Sequence, residues 1–186
     1  MFGASLIGTI LYAQNEKDID DQNSSYILLL SEDRLYGKIS IDIKGHVVLK
    51  NKADKTKETY TPSEIIGYYD AKKGNDYVTI NPEDDNHGPW LYQRKANGII
   101  KFYSYTFENS NGGKFPFYYI EKGDSGLQRT LSGSVIRMKK EKALLEEFIK
   151  DYQDLYQIVK KKSFNEKNLV KIINQYNDWH EDQAVK

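Results

Sequence analysis

The chain has 186 residues, with 27 basic and 27 acidic side chains, 39% hydrophobic residues and no cysteine. This length suits a single domain, and the balanced charge lacks the basic excess that nucleic-acid binding requires. The absence of cysteine excludes disulfides, thiolate metal ligands and cysteine nucleophiles.

The first fourteen residues, MFGASLIGTILYAQ, carry no charge and are mostly apolar. A run of this length is too short to span a bilayer and is typical of the core of a signal peptide. We expect cleavage after Ala13, with Gln14 as the new terminus and a periplasmic or secreted location. No basic residue precedes Lys17, so either the true start lies upstream of Met1 or the leader is unusually short. An ordinary apolar first strand is the alternative explanation of the pattern. Residues 15–25 are polar and are predicted to form a flexible lead-in.

Residues 26–138 are predicted to form an antiparallel β domain. The run 26–30 has the length of a buried strand, and apolar residues alternate with polar ones over 35–43, as in a half-buried strand. Lys44 and Gly45 turn the chain into a partner strand at 46–50. Residues 51–59 are mostly charged and are predicted to form a loop, and Pro62 predicts a short helical turn.

The remaining predicted strands cover 65–69, 77–80, 90–95, 99–107, 115–122 and 134–138. Asn97 and Gly98 separate two of them and are a strong hairpin signal, because both residues tolerate the backbone angles of a tight turn.

The periodicity changes to that of a helix at Lys139. Apolar residues recur at helical spacing over 139–161, and Ser163 and Glu166 have the spacing of a capping box that opens a second helix. The sequence thus predicts an α+β fold: a meander or barrel-like sheet of about eight to ten strands, followed by a helical hairpin over 139–186. We expect the hairpin to cover the sheet, with Phe148 at the centre of the contact.

Several segments together resemble the exported β-rich proteins of unknown function common in Bacteroidota-type bacteria. They are the leader ending in Ala13 and Gln14, GKI at 37–39, YTPSEIIGY at 60–68, FYYIEKG at 117–123, LEEF at 145–148 and QYN at 175–177. The resemblance implies a location in the envelope or outside the cell, and it carries over no catalytic residue.

The sequence contains no recognisable catalytic or metal-binding motif. The three histidines have no metal-ligand spacing, and the Gly-Asp-Ser-Gly run at 123–126 lacks the spacing of a nucleophile elbow. The loop 81–88 concentrates oxygen ligands suited to calcium, but a solvated turn explains its composition better. We therefore predict no catalytic residue, metal or cofactor.

Aromatic residues are abundant, with 15 Tyr, 7 Phe and 2 Trp. Trp90 and Tyr92 come opposite the region of Tyr103 and Tyr105 in the predicted hairpin, so the four are candidates for binding a ligand or partner. Cross-strand aromatic pairs also stabilise antiparallel sheets, which is the structural alternative.

These features predict an exported, non-enzymatic binding or scaffold module whose partner is an envelope protein or a surface glycan. The prediction includes no nucleic-acid partner and no membrane span in the mature chain. The alternative is a hydrolase or lyase acting on an extracellular polymer, in which Glu64, Asp84 and Asp85 would be the first carboxylates to test.

Overall fold

The computed structural model describes residues 24–82, 88–130, 138–161 and 165–185. These residues form an α+β fold, as predicted, with eleven strands in two antiparallel sheets and three helices at the C-terminal end. The strands are β1 (Tyr26–Leu29), β2 (Arg34–Tyr36), β3 (Lys38–Ile41), β4 (Val47–Lys50), β5 (Lys57–Tyr60), β6 (Ile65–Asp70), β7 (Asn75–Ile80), β8 (Trp90–Ala96), β9 (Ile100–Glu108), β10 (Lys114–Lys122) and β11 (Gln128–Thr130). The helices are α1 (Met138–Phe148), α2 (Gln153–Lys161) and α3 (Glu166–Ala184).

The larger sheet has eight strands in the order β11-β10-β9-β8-β7-β6-β1-β2. The strands from β6 to β11 form a simple meander, in which each pairs with its neighbour in sequence. The smaller sheet has the order β3-β4-β5. Within the described residues neither sheet closes on itself, so the arrangement is the predicted meander and not a closed barrel.

Gly37 divides the predicted strand 35–43 into β2 and β3, which belong to different sheets. Its amide donates to the carbonyl of Ser25 over 3.1 Å. A Cβ atom at this position would lie 2.7 Å from the carbonyl oxygen of Lys50 and 2.8 Å from Cδ1 of Leu49. The alternation of apolar residues continues through Gly37, so periodicity alone predicts one strand where the packing requires two.

Two hydrophobic clusters lie on the same side of the large sheet. One joins the large and small sheets and is formed by Ile27, Val47, Leu49, Ile65 and Tyr68. The other joins the helices to strands β8, β9 and β10 and includes Ile100, Phe102, Ile120, Leu145, Phe148 and Tyr176. The helices therefore cover one end of the sheet, and Phe148 lies in that contact with 7% of its surface exposed.

The predicted helix over 139–161 is interrupted between α1 and α2. At the break, the Lys122 ammonium donates to the carbonyl of Phe148 and, over 2.7 Å, to the hydroxyl of Tyr176. That hydroxyl donates to the carboxylate of Asp151, with oxygen distances of 2.9 and 2.7 Å. A cation at the carboxyl end of α1 also complements the helix dipole. A lysine from β10, distant in the sequence, thus bonds to the backbone at the interruption.

Asn177 ties α3 to the start of β9. Its Oδ1 accepts from the amide of Ile100 over 2.9 Å, and its Nδ2 donates to the carbonyl of the same residue over 2.8 Å. The side chain is buried, with 9% of the residue exposed. Both polar groups of one strand residue are therefore satisfied by a single helix side chain.

One described segment differs from the prediction at the level of single strands. Residues Lys57–Tyr60 form β5, although the surrounding charge predicted a loop. The predicted final strand 134–138 lies almost entirely outside the described residues, and β11 precedes it. The short helical turn at Pro62 is confirmed as a 3-10 helix, Pro62–Glu64.

Candidate functional site

The large sheet has a second side that faces away from the helices, here called the aromatic face. Successive residues of a strand point to opposite sides of a sheet. In β9, Ile100 and Phe102 point to the helices, so Tyr103, Tyr105 and Phe107 point to the aromatic face. This face is the candidate site because aromatic side chains are concentrated on it.

Three cross-strand pairs of aromatic residues join β9 to β10. They are Tyr103 with Tyr119, Tyr105 with Phe117, and Phe107 with Phe115. The ring centroids of the second and third pairs are 6.4 and 6.5 Å apart. Such pairs stabilise antiparallel strands and keep the rings in fixed positions relative to each other.

Exposure rises steadily along these pairs. Tyr103 and Tyr119 are buried, with 6% and 2% of their surfaces exposed, whereas Phe107 and Phe115 are 48% and 46% exposed. Tyr105 and Phe117 are half-buried. The series therefore changes from core to surface as the hairpin approaches its turn, and the Phe107–Phe115 pair is the accessible end.

Strand β8 adds Trp90 and Tyr92 to the same face. The ring of Tyr105 lies 5.8 Å from that of Trp90 and 5.5 Å from that of Tyr92. The Tyr92 ring also meets Tyr119 edge to face at 5.2 Å. The Tyr105 ring thus contacts both Trp90 and Tyr92 on the side of the sheet that faces away from the helices.

Burial separates the four predicted site residues into two pairs. Tyr92 and Tyr103 are buried core residues, with 2% and 6% of their surfaces exposed, while Trp90 and Tyr105 are half-buried and pack against them. Only Trp90 and Tyr105 present a substantial surface to a ligand. Among the described residues, the two most accessible aromatics are Phe107 and Phe115, and neither is one of the predicted site residues. Their position at strand ends next to a polar turn is the sequence signal that indicates them.

Four charged groups on the aromatic face form two pairs. Arg94 Nε donates to Asp76 Oδ2 over 2.6 Å across β7 and β8. Glu121 Oε1 accepts from Lys101 Nζ and from the hydroxyl of Tyr103, each over 2.9 Å. Burial, and then the hydrogen bond to Glu121, raises the pKa of Tyr103, so its hydroxyl stays protonated as a donor. These hydrogen bonds join the charged groups of β7, β8, β9 and β10 in pairs across neighbouring strands.

A row of tyrosines extends the same side of the sheet to its other edge. Asp76 of β7 lies directly opposite Tyr69 of β6, which in turn lies opposite Tyr26 of β1. Tyr26 lies opposite Tyr36 of β2, at the edge of the sheet. The Tyr26 ring lies 5.7 Å from Tyr69 and 5.8 Å from Tyr36, and the Arg34 guanidinium is 4.7 Å from its centre. The rings here pack against each other, so this edge is a stabilising cluster of amphipathic side chains.

The turn between β9 and β10 holds the exposed pair rigidly. Asn109 Oδ1 accepts from the amides of Asn111 over 3.1 Å and Gly113 over 2.7 Å. The Asn109 amide donates to the carbonyl of Gly113, and the Asn109 carbonyl accepts from the amide of Gly112, each over 2.9 Å. Gly112 has a φ of 76°, a conformation that glycine adopts without strain. The hairpin end therefore presents its phenylalanines on a fixed support.

The carboxylates considered for catalysis do not form an acid pair in the described residues. Glu64 Oε2 accepts hydrogen bonds from the amide and the hydroxyl of Thr61, both over 2.7 Å. The hydrogen bond from the Thr61 amide lowers the pKa of Glu64. It acts as a cap for the 3-10 helix. Asp84 and Asp85, with most of the candidate calcium loop, lie outside the described residues. In the part of the chain that the structure describes, no three acidic or histidine side chains are grouped as metal ligands.

A shallow groove of about 500 Å³ runs beside α3 and is lined by Lys167, Val170, Lys171, Asn174, Gln175 and Asp178. All six residues belong to one helix, so the groove has no opposing wall that could bring polar groups together around a ligand. We do not assign it a function.

Comparison with known proteins adds no relative from which a role could be carried over. The chain matches no protein-family model, no curated protein and no solved structure. No helix among the described residues is long and apolar enough to cross a membrane. The fold and the site define an α+β protein in which the helices and the small sheet pack on one side of the large sheet and aromatic residues line the other side. The resemblance to exported β-rich proteins of Bacteroidota-type bacteria remains a hypothesis.

Proposed function

We propose that this chain is an exported, non-enzymatic binding module that docks a protein partner on the Phe107–Phe115 end of its aromatic face. The observation that carries the proposal is the exposure of this pair, 48% and 46%, at the end of a series of packed aromatic rings. Accessible aromatics supported by a packed base are typical of residues that dominate binding energy at protein interfaces.

The pairing of polar groups favours a protein partner over a glycan. A hydroxyl-rich glycan needs donors and acceptors beside the stacking ring. The pairs Asp76–Arg94 and Lys101–Glu121 on this face are already bonded, and they lie toward the opposite end of the strands from Phe107 and Phe115. The rigid turn at Asn109 further favours binding, because a surface that is ordered in advance loses little entropy when the partner docks.

Replacing both Phe107 and Phe115 by serine should abolish recovery of the native partner when the protein is purified from its own cells. The expected loss of stability is only about 1 kcal/mol, because one cross-strand pair is removed at an exposed position. The measurement is quantitative mass spectrometry of co-purified proteins, paired with chemical denaturation of the same variant.

The matched control replaces Leu30 and Ile158 by serine, since these are exposed to 64% and 39% and lie away from the hairpin end. The control should retain the partner. Equal recovery by both variants would contradict the protein-docking proposal. Loss of binding to purified envelope polysaccharide, with unchanged protein recovery, would instead assign the face to a glycan.

The export part of the proposal rests on the uncharged segment 1–14 that precedes the charged run at 16–21. Intact mass spectrometry of the protein isolated from the periplasm or medium should give a chain that begins at Gln14 or a nearby residue. Protein recovered from the cytoplasm with Met1 still present would contradict export.

A further inference from the structure

Strand β3 forms an outer edge of the small sheet, and its backbone groups on that edge are directed away from β4. The Asp42 amide donates to the carbonyl of His46 over 3.0 Å. By the alternation of an antiparallel pair, the even-numbered residues of β3 therefore make the backbone hydrogen bonds to β4. The N–H and C=O groups of Ile39 and Ile41 therefore point outward. Within the described residues, no other strand pairs with them. The Gly37 amide just before β3 donates to the carbonyl of Ser25, so the unpaired part of this edge begins after Gly37.

The side chains of β3 protect its edge less than those of the other edge strands, because Lys38 at its start is the only charged residue of the strand. Natural edges are blunted by charged side chains, proline or very short strands. The edges of the large sheet, β2 and β11, have three residues each, and the other small-sheet edge, β5, reads Lys-Glu-Thr-Tyr. In β3, by contrast, Ile39 and Ile41 flank Ser40, and Ile41 is 47% exposed.

The apolar side of β3 continues an existing core. Ile39 packs against the cluster between the sheets, and Ile41 lies opposite the buried Val47 on the same side. Just beyond the strand, Ile43 is fully exposed. A strand added at this edge would therefore cover apolar surface as well as backbone groups.

We propose that β3 pairs with β3 of a second copy of this chain, antiparallel and centred on Ser40, to form a two-fold symmetric dimer. In this register Ile39 lies opposite Ile41 of the other copy, and each of the two such pairs makes two backbone hydrogen bonds. Lys38 lies opposite Asp42 of the other copy, so opposite charges meet at both ends. A shift of the centre by one residue, to Ile41, would instead place Lys38 opposite Lys44.

The segment is self-complementary in three independent respects. The outward N–H and C=O groups of one copy meet those of the other copy in this register. The isoleucines of both copies lie on one side of the paired strands, and Lys38 and Asp42 lie on the opposite side. Asp42 keeps its negative charge because the His46 amide, 2.9 Å from Oδ1, lowers the pKa of its carboxyl. The contact is short compared with a standard interface, so the dimer should form only as protein concentration rises.

Sedimentation equilibrium of the full mature chain over a wide concentration range tests the proposal. Wild type should change from monomer to dimer. Ile41→Pro removes one outward N–H donor from each copy and leaves the hydrogen bonds to β4 intact. Two of the four hydrogen bonds between the copies are lost, so the dissociation constant of the dimer should rise about twenty-fivefold. Thr59→Pro is the matched control, because the Thr59 amide points outward from the β5 edge by the same parity.

Lys38→Glu tests the register separately, since it places a glutamate opposite Asp42 and leaves the outward backbone intact. It should weaken the dimer, and addition of salt should reduce the difference from wild type. A wild-type protein that stays monomeric at all concentrations would overturn the proposal. So would a dimer unaffected by Ile41→Pro, one disrupted equally by Thr59→Pro, or one insensitive to Lys38→Glu.

Discussion

Replacing Phe148 by alanine should reduce the free energy of unfolding by about 3–5 kcal/mol. The ring lies in the cluster that joins the helices to β8, β9 and β10, with 7% of the residue exposed. Truncation removes its transfer free energy and leaves a cavity between two layers that can close only partly. Reversible denaturation in urea gives the value directly.

Ile158→Ala is the control for Phe148→Ala. Ile158 lies on α2 and is 39% exposed, so its truncation should change stability far less. A loss below about 1 kcal/mol for Phe148→Ala would mean that the helices do not cover the sheet in the way described here.

Replacing Asn177 by alanine should reduce the free energy of unfolding by about 2–4 kcal/mol, because it leaves the buried N–H and C=O of Ile100 without partners. Asn174→Ala is the control, since Asn174 lies on the same helix and is exposed. Thermal and urea denaturation of both variants measure the difference. Equal stability of the two variants would contradict the structural role of the Asn177 amide.

Gly98→Ala tests the same contact from the other side. A Cβ at Gly98 would lie 2.5 Å from Cγ of Asn177, so the added methyl group must displace the amide from Ile100. The double variant with Asn177→Ala should therefore lose less stability than the two single changes added together. Strict additivity would show that the glycine is required for a different reason.

Much of the fold follows from local patterns in the sequence. The change from a two-residue to a helical period near Lys139 correctly divides strands from helices, and the Asn97–Gly98 signal correctly places the hairpin between β8 and β9. These features depend on neighbouring residues alone, so a single sequence contains the information needed to predict them.

Other features depend on contacts between distant residues. The break between α1 and α2 involves Lys122 from β10, and the division at Gly37 depends on the backbone of Lys50. No periodicity within either segment contains these partners. The prediction of two helices and of one continuous strand was therefore reasonable locally and incomplete in three dimensions.

The candidate site was predictable in position but not in accessibility. Alternation places Trp90 with Tyr92 and Tyr103 with Tyr105, and the two pairs share a face only in some registers of the hairpin. The observed register brings Trp90, Tyr92 and Tyr105 into contact. Alternation cannot tell how deeply a ring is buried, because that depends on the packing of neighbouring strands. The structure buries Tyr92 and Tyr103 and moves the accessible surface to the end of the hairpin, at Phe107 and Phe115.

The most direct test of the binding proposal is photo-crosslinking in the native cell. Benzoylphenylalanine replaces Phe107 in one variant and Ile158, on the helix side, in another. The proposal predicts a specific covalent adduct with a protein partner from position 107 and none of the same mass from position 158. Adducts of the same mass at position 158, or none at position 107, would contradict the assignment of the aromatic face as the binding surface.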